Sequence, residues 1–289
     1  MRVRILGAAA GGGSPQWNCG CAVCRAVRSG AAPARTQSSV AVSPDGREWF
    51  LFNASPDVLG QIAGLPAVTG GRRTPFGAVL LTDAELDHTL GLVLLREAPG
   101  LRLFATPAAH KTLTDGSGLL PLLERYCPVS WTPVVPEAEF ALGENLSCRA
   151  FDVPTTKRDR FGLDPRAPGR VVGYRITSGG AGVVYLPGVQ ALTPAVLERI
   201  RGCDCLLIDG TCWSDDELPR LGLGRKTSRE MGHLPVSEGL ALVAGLDVPR
   251  IVYLHLNNTN PMLLHDSPER GIVTDHGAEV AFDGLELEV

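Results

Sequence analysis

Short apolar runs separated by turn residues recur along the whole chain, and their spacing predicts strands alternating with helices. Residues 2–6 predict a first strand. Residues 38–42 and 48–53 predict a hairpin around the Pro44-Asp45-Gly46 turn. The continuous apolar run 76–82 predicts a buried central strand. Residues 88–97 have helical spacing, with Leu90, Val93 and Leu94 on one face. A strand is expected over 101–106, and Pro107 suits the first turn of the helix after it.

The second half repeats this grammar. Strands are expected over 146–153, 170–177, 182–186, 205–208 and 251–256, with a last one over 279–289. Helices are expected over 194–201, capped by Thr193, and over 238–246, capped by Ser237. The longest expected loop is 155–169, which carries Lys157, Arg158 and Arg160. Three buried runs end abruptly in polar residues able to bind metal. They lead into Asp83-Ala84-Glu85-Leu86-Asp87-His88, into Asp209-Gly210-Thr211, and into His255-Leu256-Asn257-Asn258. Loops at one edge of an α/β sheet collect functional groups from distant segments, so a site built from these three ends is expected.

Composition narrows the class. The 289 residues are 44% hydrophobic and 20% charged, ordinary for a globular chain and sufficient for a sizeable core. One layered α/β domain over 1–289 is expected, without an internal linker. The 34 glycines and 22 prolines predict many loops. A net charge of −4 argues against a nucleic-acid partner. No apolar segment follows Met1 as in a signal peptide, and no apolar stretch is long enough for a membrane span, so a cytoplasmic location is expected. Cysteines there are mostly reduced, and close cysteine spacing reads first as metal binding.

Five constellations carry candidate chemistry. Cys19, Cys21 and Cys24 can wrap one Zn ion in a structural site, the alternatives being a redox pair or clustered buried thiols. Candidates for a fourth ligand are His233, His265, His110 and the side chains of Asn257 and Asn258. The other five cysteines are expected in the core. Asp83, Glu85, Asp87 and His88 crowd like charges that a divalent cation would relieve, although acids at a helix start are also favoured by its dipole. His255 precedes a loop rich in hydrogen-bonding groups. Asp209 ends a strand beside Thr211 and Trp213, and His233 precedes a helix. His233 is read either as a plain loop residue or as an acid/base or ligand-orienting group.

These residues bear a family resemblance. The segment Asp83-x-Glu85-x-Asp87-His88 is similar to the His-x-His-x-Asp-His signature of the metallo-β-lactamase superfamily, with the first two histidines replaced. The segments 204–211, Gly232-His233 and the strand end at His255 match later motifs in order. More specifically, the chain resembles the coenzyme PQQ synthesis protein B family. That resemblance rests on 11–21, 35–39, 53–57, 207–211, 231–234 and 255–261, which together reach from one end of the chain to the other.

The resemblance implies an αββα fold with two mixed sheets face to face and helices outside. It implies a part in making pyrroloquinoline quinone (PQQ), with a short-peptide or small-molecule PQQ precursor, PQQ itself and other PQQ pathway proteins as partners. Hydrolytic members hold two Zn ions with about five histidines, whereas only His88 and His255 remain here, and Gly188-Val189 lacks the bridging Asp. The remaining set is His88, His255 and Asp87, with Glu85 and Asp209 as further carboxylates. Two imidazoles and a carboxylate form the ligand set of non-haem Fe(II) oxygenases.

The leading expectation is therefore an Fe(II)/O₂-dependent hydroxylase of the tyrosine ring in a Glu-Tyr precursor, with Zn as an alternative active-site ion. His233 and Asp209 are its candidate catalytic groups. Ser55, Asn257, Asn258 and Arg35 are candidate substrate contacts, joined by Lys157 and Arg158 for an acidic substrate. The alternatives are a carrier that binds PQQ or a late intermediate and assists its transport to the periplasm, and a metal-dependent hydrolase.

Overall fold

A computed structural model describes residues 1–66, 71–161 and 167–289. Strands β1 (Arg2–Gly7), β2 (Ser39–Ser43), β3 (Phe50–Phe52), β4 (Ala78–Leu80), β5 (Leu101–Ala105) and β6 (Val129–Pro133) lie side by side in chain order. The expected hairpin is present, with Val40 opposite Phe52 in the antiparallel β2–β3 pair. From β3 to β6 the pairing is parallel. The second sheet runs through β7 (Glu139–Ala141), β8 (Ser147–Asp152), β9 (Val172–Ser178), β10 (Ala181–Leu186), β11 (Cys205–Asp209), β12 (Arg250–Leu254) and β13 (Ala278–Val280). It is antiparallel from β7 to β10 and parallel from β10 to β13.

The chain then crosses back, and β14 (Glu286–Glu288) pairs with β1 in the first sheet. The single closing strand expected over 279–289 is thus two strands in different sheets. Asp283 fixes the crossing: its carboxylate accepts the N–H groups of Ala8 (2.9 Å) and Thr36 (2.7 Å).

Alternation along the strands builds the layers. One face of each sheet meets the other through Val3, Ile5, Phe50, Phe52, Leu80, Tyr174, Tyr185, Leu207 and Leu254. Phe52 packs edge-on against Tyr174 and Tyr185, with ring centroids 5.5 and 5.9 Å apart. The outer faces are covered by helices, and apolar clusters lie beneath them on both sides. This is the αββα arrangement the motifs imply. No helix among the described residues is long and apolar enough to cross a membrane.

Three local expectations change. The helix expected over 88–97 is two short pieces, Leu86–Thr89 and Gly91–Leu94. Gly91 lies so close to the chain after β3 that a β-carbon there would sit 2.2 Å from the Ser55 carbonyl oxygen. Pro235 occupies the cap position of the helix Val236–Ala244, so Ser237 lies inside it and is not its cap. Strands β6 and β7 and the helices Ala22–Arg28, Val58–Ile62, Leu119–Leu123 and Pro268–Asp275 carry no pattern strong enough to announce them. Within the loop 155–169, residues 162–166 lie outside the described residues.

Candidate metal centre

The three polar strand ends converge at one edge of the sandwich. The turn after β4 supplies Asp83, Asp87 and His88. The end of β12 supplies His255, and the end of β11 supplies Asp209. One oxygen of Asp87 and one nitrogen each of His88 and His255 lie within 4.8 Å of one another. A second group of the same kind joins Asp209, His233 and His255. The His88 and His255 rings are 5.1 Å apart, and those of His233 and His255 are 5.2 Å apart.

Each imidazole is aimed by a partner behind it. His88 Nδ1 lies 2.9 and 2.8 Å from the two oxygens of Asp83. That carboxylate also accepts Thr82 Oγ1 and the Glu85 N–H, each at 2.9 Å. Asp83 therefore orients the ring, the pattern in which a carboxylate fixes the tautomer of a metal-binding histidine. His88 Nε2, the opposite ring atom, is buried and has no hydrogen-bond partner. A buried nitrogen left bare is costly unless something accepts its lone pair or its proton.

His255 presents the second clue. Its Nδ1 sits 2.8 Å from Thr211 Oγ1, and its Nε2 faces Asp87 Oδ2 at 3.3 Å. Its backbone is left-handed, with φ +57°, a conformation rare outside glycine that re-aims the ring as β12 ends. A neutral His255 with its proton on Nδ1 would set a lone pair against a carboxylate oxygen. A cation between them resolves that conflict. Gly11 leaves the space, since a β-carbon there would lie 3.2 Å from Asp87 Oδ2.

Without an ion the site's charges balance among themselves. Burial would raise Asp87, but His88 and His255 outweigh it and hold the carboxyl well below the usual range. Burial likewise lowers His88, but Asp83 and Asp87 overcome it and raise the imidazole to about 9. Burial is the main cause that holds His255 below its ordinary value, and the neighbouring imidazoles add to it.

The remaining candidates separate by position. His233 Nδ1 bonds Asp209 Oδ2 at 2.7 Å, and the ring lines the cleft. Asp209 stands behind it: its oxygens also accept Val189 N (2.9 Å), Thr211 N (3.0 Å) and Thr211 Oγ1 (2.6 Å). Glu85, expected as a metal ligand, is outside both groups; its carboxylate turns to Lys157 Nζ at 2.8 Å and Arg160 Nε at 3.7 Å.

The four expected substrate contacts do not line the cleft. Ser55 is buried and donates to Gln61 Oε1 at 3.0 Å, closing the turn before the next helix. Arg35 is buried against backbone carbonyls, including Ala281 O at 3.4 Å. Asn257 bonds Thr259 Oγ1 at 2.5 Å, within its own loop. Asn258 reaches the cysteine cluster, with Nδ2 3.2 Å from Cys24 Sγ. Arg158 is exposed and away from the cleft.

The cleft itself encloses about 530 Å³. Leu90, Phe161 and Met231 contribute apolar wall, and Lys157 and Arg160 contribute cations. Lys157 had only its charge to mark it in the sequence, and Thr211 and Asp83 only their neighbours. Their roles come from partners distant in the chain or hidden behind a ring.

The thiols of Cys19, Cys21 and Cys24 lie within 4.8 Å of one another, and Cys21 caps the helix Ala22–Arg28. Of the proposed fourth partners, Asn258 is the one beside them. His110 stacks on Trp131 at 3.7 Å, His233 is in the cleft and His265 is exposed. Cys127, Cys148, Cys203, Cys205 and Cys212 are buried, as expected of packing residues.

Comparison with known proteins agrees with this architecture. A family profile described as "Beta-lactamase superfamily domain" matches residues 48–256. Coenzyme PQQ synthesis protein B of Pseudomonas syringae pv. syringae is 41% identical over the whole of both chains. That of Azotobacter vinelandii is likewise 41% identical over the whole of both. A crystal structure of Zn²⁺-bound PqqB from Methylobacterium extorquens superposes over the full length of both chains with a TM-score of 0.92 at 39% identity. With fold, motifs and full-length similarity in agreement, the chain belongs to the coenzyme PQQ synthesis protein B family of the β-lactamase superfamily.

Proposed function

We propose that this protein acts in PQQ biosynthesis as a non-haem Fe(II)/O₂-dependent hydroxylase of the tyrosine ring in a Glu-Tyr precursor. The observation that carries the reading is the group Asp87, His88 and His255, two imidazoles and one carboxylate converging on a cleft, with His88 Nε2 buried and unpartnered. These three residues would hold the ion. Fe(II) in such a set supplies O₂ activation at its open positions.

The protein's own residues supply the rest. Leu90, Phe161 and Met231 offer apolar surface for an aromatic ring. Lys157 and Arg160 offer charge to the precursor's carboxylates, in competition with Glu85. His233, held by Asp209 through Nδ1, directs Nε2 toward the cleft, where it can accept a phenolic proton. A hydrolase with two metals is less well served, because of about five histidines only His88 and His255 remain, and each Asp209 oxygen already accepts two donors. The thiols of Cys19, Cys21 and Cys24 would hold a structural Zn ion. The homologous name "PQQ synthesis protein B" supports the pathway, and other pathway proteins are its proposed partners.

The test is reconstitution with Fe(II) under anaerobic conditions, followed by Glu-Tyr peptide, ascorbate and O₂. Mass spectrometry should show the peptide gaining one oxygen atom. His255→Ala should abolish the gain. No gain in the wild type, or an equal gain in His255→Ala, rejects the hydroxylase.

A further inference from the structure

Thr211 Oγ1 joins three of the site's side chains. It lies 2.6 Å from Asp209 Oδ1, 2.8 Å from His255 Nδ1, 3.1 Å from His233 Nδ1 and 3.1 Å from the His255 carbonyl oxygen. A hydroxyl has one proton to give and two lone pairs to receive with. A count of protons decides how it is used.

Asp209 receives two backbone N–H groups, from Val189 and Thr211, and these can only donate. One such donor on each oxygen holds Asp209 as an acceptor. The 2.6 Å separation from Thr211 Oγ1 is that of a charge-assisted O–H···O⁻ bond, and without a proton between them two oxygens that close would repel. The Thr211 proton therefore belongs to Asp209. The oxygen then has only lone pairs for His255 Nδ1, so that nitrogen must carry the hydrogen. In the neutral ring Nε2 is then the bare nitrogen, facing Asp87.

We infer that Thr211 is a positioning residue that fixes His255 as the Nδ1–H tautomer and so presents Nε2 as a metal ligand. The chain Asp209–Thr211–His255 does for one imidazole what Asp83 does directly for His88. Thr211 also explains why Asp209 lies deep behind the site: it orients His233 through one oxygen and His255, through a hydroxyl, by the other. The inference rests on the metal reading above only for its consequence, since the hydrogen on Nδ1 itself follows from the hydrogen-bond geometry.

The test uses the full-length protein labelled with ¹⁵N-histidine. Long-range ¹H–¹⁵N spectra of the metal-free wild type should show His255 protonated on Nδ1. In Thr211→Val, which keeps the shape and loses the hydroxyl, the proton should move to Nε2, where Asp87 Oδ2 accepts it. Zn²⁺ affinity, read from the His255 signals so that ions at the thiols do not count, should fall about 10–100-fold. Thr211→Ser should restore both the tautomer and most of the affinity.

A wild-type His255 protonated on Nε2, an unchanged Zn²⁺ affinity in Thr211→Val, or a serine variant no better than valine overturns the inference. If the wild type takes no Zn²⁺ at His255, the metal reading fails instead. The tautomers in the three proteins then still decide the part played by Thr211.

Discussion

Asp83→Asn separates the charge behind His88 from its shape. The variant keeps an amide of the same size and one acceptor oxygen, and removes the negative charge 2.8 Å from His88 Nδ1. Two effects follow, and they differ with pH. A carboxylate behind a ligand histidine makes the opposite nitrogen a better donor, and its loss weakens metal binding about 10–100-fold, or about 1.4–2.8 kcal/mol. The same carboxylate is a principal reason the metal-free His88 sits at about 9, against the pull of burial. At pH 7 a proton on His88 therefore competes with the ion and weakens apparent affinity about a hundredfold, from two units of pH.

Wild-type affinity for Zn²⁺ at this site should rise about tenfold per pH unit from 7 to 9 and then level off. In Asp83→Asn burial prevails, His88 is neutral at pH 7, and the profile over that range should be nearly flat. The two proteins should bind most alike near neutrality, and the deficit of the variant should be fully visible only at pH 9 and above. Competition titrations against a chromophoric chelator across that range measure both curves. Parallel curves, or equal affinity at pH 9, would refute the assignment of Asp83 as the orienting group of His88.

The remaining predictions concern stability and the second cluster. Because folding raises His88 from 6.5 to about 9, its contribution to the metal-free fold is complete below pH 6.5 and is lost as pH rises through 9. On the order of 3 kcal/mol is involved, and the melting temperature of metal-free protein should fall across that window while the metal-loaded protein resists it. Cys24→Ala should remove one equivalent of Zn per chain in metal analysis. Asn258 ties Cys24 to the loop after His255, so the variant should also bind its active-site ion more weakly. Gly91→Ala should destabilise the protein by about 3 kcal/mol in urea unfolding, because the β-carbon meets the Ser55 carbonyl and cannot be accommodated without moving the backbone that carries His88.

Much of the fold was legible in the chain because burial writes itself into local pattern. The runs that became β4, β11 and β12 are continuous apolar stretches, as parallel strands covered on both faces must be. The helix starts at Pro107 and at Thr193-Pro194 were equally plain, since both the fixed proline backbone and a cap act among neighbours in sequence. Strand β6, exposed on most of its length at a sheet edge, buries too little to leave a signature. Likewise β14 could not be told from β13, because a strand's sheet is chosen by what lies across from it.

The candidate site divides in the same way. Asp87, His88, His255 and the three thiols were recognisable as residue types at telling places, two of them closely spaced and one at a strand end. What the sequence could not contain was the direction of each side chain. Glu85 and Asp87 are two residues apart with the same functional group, yet one meets Lys157 and the other faces His255. Ser55, Asn257 and Asn258 were plausible substrate contacts by chemistry, and each is consumed by a partner its own loop or the cysteine cluster provides. Residue type and spacing determined which groups could bind an ion. Only the tertiary structure decided which of them come together, because ligation depends on distances of a few ångströms between segments more than a hundred residues apart, and hydrogen-bond partners behind each ring set where its free nitrogen points.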